Sequence, residues 1–148
     1  MTIVPYPSPL DPDSVGIRRP LCTTARVDRR GAFGRLGEDL ACEELERRGY
    51  RILDRRFRTR CGELDIIARD GGVLVFVEVR ARSGGSFGTP FDSVTWQKRH
   101  RLSRMAAAYL CQKRLPDVAC RFDVVGVTGT AGGTLNIEVV KNAFEFHG

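Results

Sequence analysis

The order of sequence patterns predicts one α/β domain with a mixed central sheet flanked by helices. Two stretches, 32–48 and 94–115, repeat apolar residues at intervals of three and four, the helical period. Five short runs rich in Val, Ile, Leu and Phe carry the strand pattern, and a tight-turn signal joins two of them. Three runs lie between the helices and two follow the second helix. The chain of 148 residues is long enough for one domain with a real core.

The elements follow in order. Residues 1–30 read as a disordered basic tail, because five of the seven prolines fall in the first 20 positions and no periodicity appears. Such a tail is either a solvated leader or a loose attractor of phosphates. The domain then spans 31–148. In the first helix Phe33, Leu36, Gly37, Leu40, Ala41 and Leu45 form the apolar stripe, and Gly49 is a natural stop beyond Arg47 and Arg48. Glu38 falls on that stripe. A carboxylate there is paired, bound to a metal, or set at the flank with its head in water.

Arg51 to Phe57 is the first strand, with its arginines on an edge or exposed face. Leu64 to Ala68 and Val73 to Val79 are the next two, joined by Asp70-Gly71-Gly72. A two-residue loop makes paired numbers sum to 143. Asp65 then faces Glu78, and Glu63 faces Arg80. Opposed side chains on one sheet face stand about 4.5–5.5 Å apart at Cβ. Two carboxylates so close repel unless a cation intervenes or one is protonated. The pair is therefore either a hard-metal site or two solvated carboxylates neutralised by Arg80 and other basic groups. The near-continuous apolar runs suggest strands covered on both faces.

Ser83 to Phe91 is a glycine-rich loop, either a mobile flap or a plain connector with Phe87 and Phe91 on the core. Asp92 or Ser93 can cap the second helix. Leu102, Met105, Ala106, Tyr109 and Leu110 form its buried stripe, and Pro116 ends it. Its first half carries Lys98, Arg99, His100, Arg101 and Arg104. This cluster is either a phosphate-binding surface or a solvated helix face. Arg121 to Val127 and Thr134 to Val140 are the last strands, and Phe144 is expected in the core.

Composition narrows the functional classes. No apolar run is long enough to span a bilayer, so no membrane partner is expected. No apolar leader marks the N-terminus, and five cysteines without a Cys-x-x-Cys pair suit a reducing cytoplasm. Cys42 and Cys111 read as small core residues. Two histidines, His100 and His147, are too few for a histidine metal cage or a Ser-His-Asp triad. A net charge of +6 permits a polyanionic partner.

Several short motifs, taken together and in this order, carry a resemblance. They are Gly34-x-x-Gly37-Glu38, Gly62-Glu63-Leu64-Asp65, Phe76-Val77-Glu78-Val79-Arg80-x-Arg82, Phe87-Gly88, Lys98, Arg121-Phe122-Asp123-Val124 and Asn142-Ala143-Phe144. The chain from about 31 to 146 resembles the YraN-type family of small bacterial proteins. That family is grouped with the restriction-endonuclease-like fold, near archaeal Holliday-junction resolvases. The resemblance implies an α-β-β-β-α-β core and a PD-(D/E)xK site, in which Asp65 is the motif Asp, Glu78 the second acid and Glu38 the helical Glu. These three would converge on one Mg²⁺ or Mn²⁺, with the Val79 carbonyl as a further ligand.

The implied activity is metal-dependent hydrolysis of DNA, with branched or repair intermediates as substrates. The implied nucleic-acid contacts are Lys98, Arg99, Arg101, Arg104 and Arg82. Related resolvases also imply a homodimer. Arg80 stands where the family usually has Lys. It can stabilise charge on a phosphorane but stays protonated and cannot act as a base. Lys98 is the candidate replacement, and Glu63 the expected neighbour of Arg80. The alternative reading is a nucleic-acid-binding module that has kept the fold and lost the chemistry.

Overall fold

The Asp70-Gly71-Gly72-Val73 turn sets the register of the sheet. In the computed structural model, which describes residues 29–83, 94–130 and 132–146, Asp70 pairs with Val73, and the pairs continue to Ile66 with Val77. Every pair sums to 143, as the two-residue loop requires. Gly71 takes φ +59°, the left-handed backbone that a two-residue hairpin turn needs and that glycine adopts without a steric penalty.

This hairpin joins β2 (Gly62–Asp70) to β3 (Val73–Ser83). Before it come α1 (Arg29–Arg47) and β1 (Arg51–Thr59). After it come α2 (Trp96–Lys113), β4 (Cys120–Gly129) and β5 (Leu135–Phe144). The five strands form one sheet in the order β1-β2-β3-β4-β5. The β3–β4 pair is parallel and the others antiparallel. A parallel pair needs a long crossover, and α2 supplies it. The expected order of helix, three strands, helix and two strands is present, and it contains the α-β-β-β-α-β core that the resemblance implies.

Both faces of the sheet are covered. On one face α2 packs Leu102, Met105, Ala106 and Tyr109 against Leu64, Ile67, Leu74, Phe76, Phe122 and Val124. Phe122 links Phe76 and Phe144, with ring centroids 5.5 and 4.6 Å away. On the other face α1 packs Ala41, Cys42 and Leu45 against Ile66, Ala68, Val75, Val77, Val125 and Val127. Burial on both faces explains why β2, β3 and β4 read as nearly unbroken apolar runs.

The helix ends follow from local chemistry. Past α1, Gly49 takes φ +91°, and Tyr50 N–H donates to the Leu45 carbonyl at 3.0 Å. That bond closes the last turn. Past α2, Arg114 adopts φ +55°, so the helix turns two residues before Pro116. Its cap differs from expectation. Thr95 fills it, its Oγ1 accepting from Lys98 N–H at 3.3 Å, while Asp92 and Ser93 lie outside the described residues. The loop with Phe87 and Phe91 lies outside them too, as does the expected tail, except that Arg29 and Arg30 already belong to α1.

Two stripe assignments are corrected. Leu36 is 47% exposed, and Cys111 is exposed although its spacing suggested core. Helical spacing fixes the direction of a side chain but not whether a neighbour covers it at that height. Cys42 is buried, which pushes its thiol up to about 11. Among the described residues no helix is long and apolar enough to cross a membrane.

Candidate functional site

The β2–β3 ladder stops at Ile66 and Val77. The next pair would be Asp65 and Glu78. Instead, the Asp65 carboxylate takes the place of a strand partner, its Oδ2 accepting from Val79 N–H at 2.8 Å. β3 continues along β4 as far as Ser83. The two strands therefore part where the two carboxylates stand.

A second irregularity meets the first. Pairing between β1 and β2 joins Arg55 to Ile66 and Phe57 to Leu64, and skips Arg56 and Asp65 between them. Arg56 has φ +52°, the left-handed region that non-glycine residues seldom adopt. Leu64 packs on the α2 face, yet Ile66, two residues on, packs on the α1 face. Regular alternation would place both on one face. The strand slips by one face at Asp65. This slip lets groups from both faces of the sheet converge.

Glu38 comes from the α1 side. Gly37, just before it, is buried, and a Cβ there would lie 2.7 Å from the Ala81 Cβ. Only glycine lets α1 approach β3 so closely without a shift. The Glu38 side chain is 16% exposed. Carboxylate oxygens of Glu38, Glu63 and Asp65 lie within 4.8 Å of one another. Glu78 is not one of these three. It lines a pocket of about 120 Å³ with Gly62, Glu63, Asp65, Lys98, Arg101, Leu102 and Met105. One water needs only about 10–15 Å³ by this measure. Glu78 is 6% exposed and is paired by Lys98 Nζ, with Arg80 Nε 3.5 Å from the same Oε1.

The expected trio of Glu38, Asp65 and Glu78 is thus arranged differently. Asp65 is the shared member: its carboxylate groups with those of Glu38 and Glu63, and it lines the pocket together with Glu63 and Glu78. Glu63 does not face Arg80. Its Oε2 accepts from Arg58 Nε at 2.8 Å, because β2 pairs with β1 at this end. Reading Glu63 as an ion-pair partner missed it as a site carboxylate. Its spacing of two from Asp65 in an extended strand was the available signal.

Asp65 is the group most affected electrostatically. Burial first, then the nearby charge of Glu78, pushes its carboxyl up to about 7, against the opposing hydrogen bond from Val79 N–H. Oxygen-only carboxylate donors with water access fit a hard cation such as Mg²⁺ or Mn²⁺, and not a thiolate- or imidazole-seeking metal. The carboxylates present fit that group.

The expected nucleic-acid contacts are spread along the first half of α2. Lys98 and Arg101 line the pocket. Arg104 is exposed. Arg99 Nε donates to the Val94 carbonyl at 3.1 Å, and its guanidinium lies 5.6 Å from the Phe144 ring centroid. Arg82 is half-buried near the end of β3.

Known proteins match across this whole region. The family described as "Uncharacterised protein family UPF0102" matches residues 37–127, a span that holds Glu38, Glu63, Asp65, Glu78, Arg80 and Lys98. The UPF0102 protein STH1475 of Symbiobacterium thermophilum is 49% identical over 111 residues, covering 75% of this chain and 94% of that protein. The UPF0102 protein GSU0650 of Geobacter sulfurreducens is 49% identical over 113 residues, covering 76% and 88%. A UPF0102 protein of Syntrophus aciditrophicus is 47% identical over 120 residues, covering 81% and 94%. On the family match and these relatives, the chain belongs to the UPF0102 family, the family to which the YraN-type motifs pointed.

Proposed function

We propose that this protein is a metal-dependent nuclease that hydrolyses phosphodiester bonds in DNA, with branched or repair intermediates as substrates. The observation that supports it best is the shared pocket of Asp65 and Glu78, with Glu38 and Glu63 close to Asp65 and Lys98 on Glu78. Asp65, Glu78 and Glu38 would hold Mg²⁺ or Mn²⁺, joined by Glu63 and the Val79 carbonyl. A bound divalent ion supplies charge neutralisation at the phosphate and an activated water.

The chain's own groups supply the rest. Lys98 sets an ammonium in the pocket, where it can orient water and stabilise charge on a phosphorane. That role fits the motif lysine whose position Arg80 takes. Arg80 lies against Glu78 and adds a fixed positive charge. Arg101 and Arg104, with Arg99 and Arg82, would grip flanking phosphates. A homodimer would offer two such sites to a junction.

A second reading, a binding module without turnover, has one observation in its favour. By the resemblance Arg80 takes the motif-lysine position, and a guanidinium there cannot act as a base. Labelled duplex, single-stranded and four-way-junction DNA, incubated with pure protein and Mg²⁺ or Mn²⁺, separates the two. Cleavage that disappears in Asp65→Ala supports the nuclease. Salt-dependent binding that persists in Asp65→Ala, with no cleavage by the parent protein, supports the module. Cutting that appears only after Arg80→Lys would locate the missing chemistry.

A further inference from the structure

Two of the site carboxylates already carry a cation from β1. Arg56 Nε donates to Glu38 Oε2 at 2.5 Å, and Arg58 Nε donates to Glu63 Oε2 at 2.8 Å. The two pairs differ in burial. The Arg58 side chain is 83% exposed, whereas Arg56 is 39% exposed against a Glu38 that is only 16% exposed. Arg56 also sits in the ladder gap beside Asp65, with its backbone held at φ +52°. The gap aims its guanidinium at the cluster of Glu38, Glu63 and Asp65.

We infer that Arg56 is a phosphate-binding residue held in reserve, one that Glu38 retains in the metal-free protein and releases when a divalent cation takes the carboxylate. The inference rests on the nuclease reading above. Its physical basis is competition. A guanidinium and a hard dication both seek the Glu38 oxygens, and the ion carries twice the charge on a smaller centre. Once Glu38 turns to the ion, Arg56 keeps its place beside the pocket and loses its anion. Its planar fork of donors matches phosphate in a bidentate geometry. Cation entry thereby opens an anion site next to the cation, where the scissile phosphate's oxygens would need neutralising. Arg58 can follow the same exchange at Glu63, with less effect because water already screens that pair.

Arg56→Gly is the informative variant, because glycine accepts φ +52° and preserves the backbone of the gap. Mn²⁺ binding to the full chain is measured by titration calorimetry. DNA affinity is measured with a labelled four-way junction, in EDTA and in Mn²⁺ at fixed salt. Removing the competing arginine is expected to tighten Mn²⁺ binding by about twofold to fivefold, the worth of a partly exposed ion pair. The Mn²⁺-dependent gain in junction affinity should be largely lost, while affinity in EDTA stays near that of the parent. Arg58→Ala should change both by less than twofold. The inference is overturned if Arg56→Gly, melting no lower than the parent, binds Mn²⁺ equally or more weakly, or keeps the full Mn²⁺-dependent gain. Failure of the parent protein itself to bind Mn²⁺ would remove the nuclease reading, and this exchange with it, before any variant is compared.

Discussion

At Asp65 a carboxylate has replaced a strand. Its Oδ2 takes the Val79 N–H that a continuing ladder would have bonded, and it does so close to the negative charge of Glu78. A carboxyl with a folded pKa near 7 holds its proton more tightly than the unfolded chain, where Asp titrates near about 3.9. Between those values the folded state binds more protons, so stability falls as pH rises. Asp65→Asn keeps an acceptor for Val79 and removes the charge. In EDTA, the variant should melt above the parent at pH 8, and the gap should shrink toward pH 5. A gap of equal size at both pH values would contradict the electrostatic account.

Asp123 is a buried carboxylate of a different kind. It is fully buried, but it accepts from Tyr50 OH, Arg121 Nε and Asn142 N–H, each at 2.9 Å. Arg121 also reaches Asp70 at 2.6 Å. This carboxylate is satisfied, so removing it leaves Asn142 N–H without its acceptor and Arg121 with only Asp70 and Tyr50. Asp123→Ala should cost about 1–3 kcal/mol by urea denaturation. A loss well below 1 kcal/mol would mean that the donors freed at Tyr50 and Asn142 find other acceptors.

The contact between α1 and β3 governs whether Glu38 reaches the site at all. Gly37→Ala places a methyl 2.7 Å from the Ala81 methyl, closer than packed carbons approach. Overpacking of this kind costs about 1–3 kcal/mol, partly offset by the roughly 1 kcal/mol helix preference of Ala over Gly. The helix should move outward and carry Glu38 from Asp65, lowering the melting temperature and Mn²⁺ affinity together. Ala81→Gly in the double variant restores the space and should restore both. Unchanged melting and Mn²⁺ binding in Gly37→Ala would show that α1 is not held at this contact.

Elements were legible to the degree that their causes are local. Helical periodicity located α1 and α2 within a few residues, and the Asp70-Gly71-Gly72 turn fixed the whole β2–β3 register. The junction of Asp65 with Arg56 was not legible. It depends on one ladder ending and another skipping a pair at the same place, and neither has a clear local signature: Arg56 is not a glycine, and the apolar residues flanking Asp65 read as one continuous strand. The same slip turned Glu63 from a presumed partner of Arg80 into a neighbour of Arg58 and Asp65.

At the scale of the molecule, much of the +6 charge excess is not spread evenly. Arg47 and Arg48 are paired with Glu44, Arg55 with Asp39, and Lys113 with Asp54. No ion pair among the described residues engages Arg101, which lines the pocket, or Arg104, and both are exposed. If these arginines meet a phosphate backbone, DNA affinity should fall steeply with salt. Arg101→Ala and Arg104→Ala should each weaken binding on all sequences alike and reduce the salt slope by about 1. Slopes equal to the parent's would move the nucleic-acid interface elsewhere.

The position of a bound ion tests the account most directly. Crystals grown with Mn²⁺ should show one anomalous peak in the pocket, with oxygens of Asp65 and Glu78 roughly 2.0–2.6 Å away and at least one of Glu38 or Glu63 turned toward it. No peak at saturating Mn²⁺, with Lys98 still on Glu78 and Arg56 still on Glu38, would contradict it.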